Sequence, residues 1–124
     1  MKILFLISPY EPAFHAGTFY LPINSVEIEE VWSRIPNDVD ILLTHCPPNT
    51  ILDTTLAGKH VGCAQLLGRI NIVKPRLHVF GHIHEAYGQT GNGSTIFVNA
   101  AICDRTYEPT QVPIVIDLEL KKRE

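Results

Sequence analysis

The sequence predicts an α/β fold built on a mixed sheet. Three observations predict it: apolar runs of strand length alternate with segments of helical period, Pro and Gly punctuate the junctions, and two more strand-like runs follow the last helix.

The first run, ILFLI at 3 to 7, is continuously apolar and suits a strand covered on both faces. SPYEPAFHAGTFYLP is too rich in Pro and aromatic residues for a regular element, so it is expected to be an ordered loop packed by its own rings. Asn24 is placed to cap a helix over 26 to 35, with Glu27 positioned to reach back to the cap. Ile28, Val31, Trp32 and Ile35 recur at helical spacing on that segment, and Pro36 ends it. VDILLTH reads as a second buried strand that delivers Thr44 and His45 at its carboxyl end. A proline-marked loop follows, then a helix over roughly 60 to 71 carrying Cys63, Leu66, Leu67 and Ile70 on one face. LHVF at 77 to 80 is the third strand. GQTGNGS reads as a turn, TIFVN at 95 to 99 as a strand, and PIVIDLEL at 113 to 120 as the last strand before a polar tail. Parallel crossovers are expected to be right-handed.

The 124 residues are expected to form one domain, with 45% hydrophobic residues to supply a core. Thirteen acidic against ten basic residues give a formal charge of -3, which argues against a non-specific nucleic-acid surface. A phosphate-bearing substrate stays open, because a bound cation reverses the local field. Three cysteines without zinc spacing point to a reduced, cytoplasmic protein, with a single disulfide as the alternative. MKILFLIS reads as a buried strand rather than a signal peptide, and no segment is long enough to span a bilayer.

The chemistry-bearing residues collect at predicted strand ends. Side chains there meet in the crevice where α/β proteins bind ligands. His45 ends ILLTH, and His82 and His84 follow LHVF, so two strand ends aim imidazoles at one place. Imidazole is a common ligand of zinc, iron, manganese and nickel. Gly81 permits a close turn, and on an extended path Ile83 points away while His82 and His84 share a side. A His-x-His pair by itself is as easily exposed or hydrogen-bonded; the position of His45 is what favours metal. His78 lies inside a strand, where packing or surface exposure is expected, while His60 and His15 are weaker candidates, the latter in a loop able to edge a pocket. Asn99, at a strand end, can orient a histidine or touch substrate, or can simply make a turn. Asp53 and Asp104 can add an oxygen ligand or cap a turn. Arg105 and Lys59 are phosphate-clamp candidates, and Tyr10, Phe14 and Phe19 either line an aromatic substrate site or pack the loop. Cys46 adjoins His45, but neighbours on an extended segment point apart, which argues against a cysteine hydrolase. GQTGNG lacks the Gly-Lys-Ser/Thr of a phosphate loop.

HCPP at 45 to 48, KPRLHVFGHIHEAYG at 74 to 88 and NAAICDRTYEPTQVPIVIDL at 99 to 118 together resemble the C-terminal portion of the calcineurin-like metallophosphoesterases, nearest the small metallophosphoesterase-domain proteins. SPYEPAF and LAGKHVGC also match, so the resemblance covers nearly the whole chain. It implies a sandwich of two mixed sheets between helices with divalent ions (Mn, Fe, Zn or Mg) in the cleft. By the same resemblance His45 and His82 share one metal, and His84 ligates the other. The implied substrates are phosphate-ester small molecules, nucleotides and cyclic nucleotides among them.

Family members also carry an Asp-x-His segment, a Gly-Asp segment whose aspartate bridges the metals, and a Gly-Asn-His segment. None occurs before His45, and the first aspartate is Asp38. The resemblance therefore implies a partial domain over 1 to 124 that lacks the N-terminal half, with one or two ions at an incomplete site. Two functions follow as expectations: a metal-dependent phosphoesterase completed by further chain, or a non-catalytic binding or oligomerising protein. In the second, an apolar edge left uncovered favours pairing with a second copy or a complementary chain.

Overall fold

The computed structural model describes residues 2–13 and 17–119. His15, Phe14 and the polar tail fall outside the described residues. Seven strands and two α-helices are described: β1 (Phe5–Ser8), β2 (Glu11–Pro12), β3 (Tyr20–Leu21), α1 (Val26–Ser33), β4 (Ile41–Thr44), α2 (Ala64–Val73), β5 (Leu77–Phe80), β6 (Gly88–Gly91) and β7 (Ile96–Asn99), with a 3-10 turn at His84–Ala86 between β5 and β6.

The main sheet runs β1-β4-β5-β7-β6, parallel except for β6, which pairs antiparallel with β7 at the far edge. The chain steps from β1 to β4 to β5 in one direction, so right-handed crossovers place α1 and α2 on the same face. The helices accordingly contact each other, and Ile28, Trp32, Leu66 and Ile70 pack with Leu42, Phe80 and Phe97 of the sheet in one core. The indole of Trp32 donates to Cys63 Sγ at 3.3 Å, joining α1 to the start of α2.

The sheet's other face is partly open. Phe5 and Ile7, expected to be covered on both sides, sit on edge strand β1 with 56% and 74% of their surface exposed. A covered strand was expected because an apolar run does not reveal which flank its sheet neighbours occupy.

Several boundaries differ from expectation for local reasons. The cap of α1 is Ser25, which accepts from Ile28 N at 3.2 Å; Asn24 instead takes a left-handed φ of 56° and accepts from Gln65 Nε2. Helix α2 starts at Ala64 rather than 60 because residues 49 to 62 close into a loop around buried Asp53. The Asp53 carboxylate accepts from Thr50 N and Gly62 N at 2.8 Å each and faces His60 Nδ1 at 2.7 Å. The proline-rich segment after β1 contains a two-stranded parallel ladder, β2 with β3, and Tyr10 meets Phe19 edge-on at 5.8 Å.

The glycine-rich turn expected at 88 to 94 is largely strand β6, which owes its form to pairing with β7 rather than to its composition. The strand expected at 113 to 120 forms no ladder over 113–119. Burial alternates there as in a strand, but the segment is held at Val112, whose carbonyl accepts from Tyr87 Oη, and at Glu119, whose carbonyl accepts from Arg76.

Candidate metal centre at the carboxyl ends of three strands

Strands β1, β4 and β5 are sheet neighbours running in parallel, so the residues just beyond their carboxyl ends converge. Beyond β1 lies Glu11, beyond β4 lies His45, and beyond β5 lies His82. The backbone fastens these ends together: Gly81 N donates to His45 O at 3.1 Å, and Cys46 Sγ reaches Tyr10 O at 3.8 Å.

His45 Nε2 is 3.1 Å from His82 Nδ1, and the rings are 4.8 Å apart. Glu11 Oε2 is 3.1 Å from His45 Nε2 and 3.9 Å from His82 Nδ1. Glu11 is 2% exposed, and neither of its carboxylate oxygens has a well-formed hydrogen bond. Its register partner across the small ladder is Tyr20, whose phenol is pushed up, first by desolvation and then by the Glu11 carboxylate beside it. A buried carboxylate with so little hydrogen bonding is unfavourable unless a positive charge faces it. The three donor atoms form a triangle whose circumscribed circle has a radius of about 2.0 Å, the ordinary length of a metal bond to imidazole nitrogen or carboxylate oxygen. The donors therefore fit a divalent ion.

His82 reaches this position through a left-handed backbone, φ 67°. The turn expected of Gly81 is thus made by the histidine itself, a residue type that tolerates this region better than most. Because of that φ and the 3-10 turn at residue 84, His82 and His84 do not alternate as on a strand. His84 faces a different set of groups. Its Nδ1 lies 2.9 Å from Asp104 O, and its ring meets Tyr107 edge-on at 5.4 Å. A donor at Nδ1 leaves the His84 Nε2 lone pair available to a ligand. Gln111 Nε2 reaches Ala101 O at 2.7 Å and Cys103 O at 2.8 Å, tying down the loop against which His84 rests.

Other candidates are engaged in structure. Asn99 is fully buried; its amide donates to Ile83 O at 2.9 Å and Leu52 O at 3.1 Å, so it positions the backbone between the two histidines rather than touching a ring. Asp104 gathers Thr106 and Thr110, and the Thr106 hydroxyl foremost, then Thr110, holds its carboxyl well below the usual carboxylate range. Arg105 and Lys59 are exposed on loops. Asp53 is committed to its own loop. Cys46 is buried and its thiol is pushed well up, by desolvation first, which makes it a poor nucleophile. All three cysteines are free. His78 is buried between the sheet and the helices, its Nε2 2.8 Å from Thr44 Oγ1, whose hydroxyl donates to Cys46 O.

Glu11 was not among the sequence candidates. The signal that points to it is positional: it follows the carboxyl end of the first strand, as His45 and His82 follow theirs.

No family model matches the chain. The chain is 48% identical over 113 residues to metallophosphoesterase domain-containing protein 1 of Homo sapiens, covering 90% of this chain and 34% of that one. The Mus musculus protein of the same name gives the same figures. A UPF0046 protein of Caenorhabditis elegans is 34% identical over 119 residues, 96% of this chain and 40% of that one. The chain thus spans little more than a third of the length of these curated relatives.

Proposed function

We propose, from the premise that this chain is related to the calcineurin-like metallophosphoesterases and matches one part of longer members, that it contributes a divalent-cation site to phosphate-ester hydrolysis. The observation that carries the reading is the convergence of Glu11 with His45 and His82 at the ends of three adjacent strands. A bound divalent ion supplies Lewis-acid stabilisation of phosphoryl oxygens and a water acidified toward neutral pH. The chain's own groups do the positioning. Glu11 offsets the cation's charge from the buried side, while His45, with half its side chain exposed, borders the approach from solvent. A cavity of about 390 Å³ adjoins the site, walled by Phe19 and Tyr20 and reaching Glu11 and His45. Its aromatic wall suits a phosphate ester with a planar group, such as a nucleotide, and His84 offers a further nitrogen at the rim. Manganese-dependent hydrolysis of bis(p-nitrophenyl) phosphate by the purified chain, abolished by chelator and by His82→Ala, is the expected result. A chain that holds manganese and yet shows no turnover above the metal alone would sink hydrolysis by these residues.

A second reading, a non-catalytic binding or oligomerising protein, is favoured by the exposed Phe5 and Ile7 beside the free edge of β1. Sedimentation tests its oligomerising form: concentration-dependent association, reduced by Ile7→Lys, is the signature, and a monomer at all concentrations removes that form.

A further inference from the structure

We infer that these 124 residues by themselves hold a single ion, between Glu11, His45 and His82, with Glu11 as its carboxylate ligand, and that this site selects a first-row transition ion over magnesium or calcium. This deepens the proposed function, since it rests on a divalent ion binding at that site.

Four observations on the molecule carry it. Glu11 is almost wholly buried with both oxygens lacking a well-formed hydrogen bond, and one of them faces the two ring nitrogens. The donor triangle is the right size for one ion. A second ion at carboxylate-bridged spacing needs a further carboxylate between the two, and among the described residues of this chain the nearby aspartates are engaged elsewhere: Asp53 with Thr50, Gly62 and His60, and Asp104 with Thr106 and Thr110. His84, the remaining imidazole of the rim among the described residues, is directed by Asp104 O and Tyr107 and is not among the three donors that cluster within 4.8 Å of one another.

Ion preference follows from the donors. Two imidazoles and one carboxylate suit zinc, iron or manganese; magnesium and calcium favour shells made of oxygen. The same donor set differs in consequence from a bridged pair, because a lone ion cannot hold both the attacking and the leaving oxygen of a displacement. Tyr20, the register partner of Glu11, has its phenol against the Glu11 carboxylate and acts as a positioning residue for it.

The test is titration of the metal-free chain with Mn(II), followed by electron paramagnetic resonance and by metal analysis after desalting. The expected result is an endpoint of one manganese per chain, the hyperfine sextet of an isolated ion, and no displacement by a large excess of Mg(II). Glu11→Gln should weaken uptake by at least ~100-fold while the melting curve in chelator stays that of the parent, and Tyr20→Phe should weaken it by roughly 10-fold. His84→Ala should leave the endpoint unchanged. An endpoint of two with an exchange-coupled spectrum, loss of the ion in His84→Ala, unchanged uptake in Glu11→Gln, or displacement by equimolar Mg(II) would each overturn the inference. Two ions per chain would overturn it while leaving the proposed function standing; no uptake at all would remove both.

Discussion

Strand β5 and the turn after it place two histidines in opposite circumstances. His78 lies in the layer between sheet and helices, fully buried, with Thr44 Oγ1 as partner and Phe80 and Phe97 against its ring. His82, four residues later, lies at the rim beside His45 and Glu11. The same imidazole is packing material in one place and a ligand candidate in the other. Depth below the strand ends makes the difference: inside the sheet no solvent or ion can reach the ring, whereas past the strand end the backbone is free to turn it toward neighbouring ends.

That contrast implies that the layer governs stability and the rim governs ion affinity, and each side can be perturbed separately. The largest effect is expected from Phe97→Ala, which empties a fully buried site between β7 and the helices; urea unfolding should show a loss of about 3–5 kcal/mol. With folded protein selected at low temperature, manganese affinity should stay near the parent value. Affinity that falls in step with stability would mean that rim and layer are one unit.

His78 sharpens the contrast through pH. Burial holds its imidazole down at about 3, against an ordinary 6.5, so the unfolded chain takes up this proton first. The contribution is therefore complete above pH 6.5 and is lost progressively as pH falls from 6.5 toward 3. By pH 4.5 the linked loss should amount to roughly 2–3 kcal/mol. His78→Leu should remove that slope, so that the stability difference between parent and variant shifts in the variant's favour by this amount between pH 7 and 4.5 in denaturant titrations. Parallel curves for the two proteins would show that the ring is not a neutral, sequestered group.

Asn99 connects the two regions and should give the smallest effect. Asn99→Ala leaves Ile83 O and Leu52 O without their donor and should lower stability by roughly 1–2 kcal/mol. Because Ile83 separates His82 from the following turn, the same variant should also weaken manganese binding several-fold. An effect on stability alone would confine Asn99 to packing.

Where the sequence could be read, the reason lies in strong local signals. LHVF matches β5 residue for residue, and the Ile28, Trp32 face of α1 packs as its period requires. His45 and His82 were legible because each stands one residue beyond an apolar run, and they do meet. Glu11 was not, since its neighbours are prolines and rings and its partner Tyr20 lies across a loop. GQTG carries little strand propensity beyond Thr90, and its pairing with β7 makes it a strand. PIVIDLE carries the alternating pattern, but pattern alone does not supply a neighbour to complete a ladder over 113–119. The parity argument that put His82 and His84 on one side failed because a positive φ and a 3-10 turn intervene.

By itself the sequence determined the succession β1, α1, β4, α2, β5 and β7, the buried face of each helix, and the placing of histidines at strand ends, because these depend on periodicity and chain punctuation within a few residues. The tertiary structure alone decided that a glutamate from the first strand end completes the group, that His84 turns elsewhere, and that one face of the sheet stays open. Those outcomes depend on which strands lie side by side and on the backbone angles at single residues, distances and torsions that no local pattern of side chains encodes.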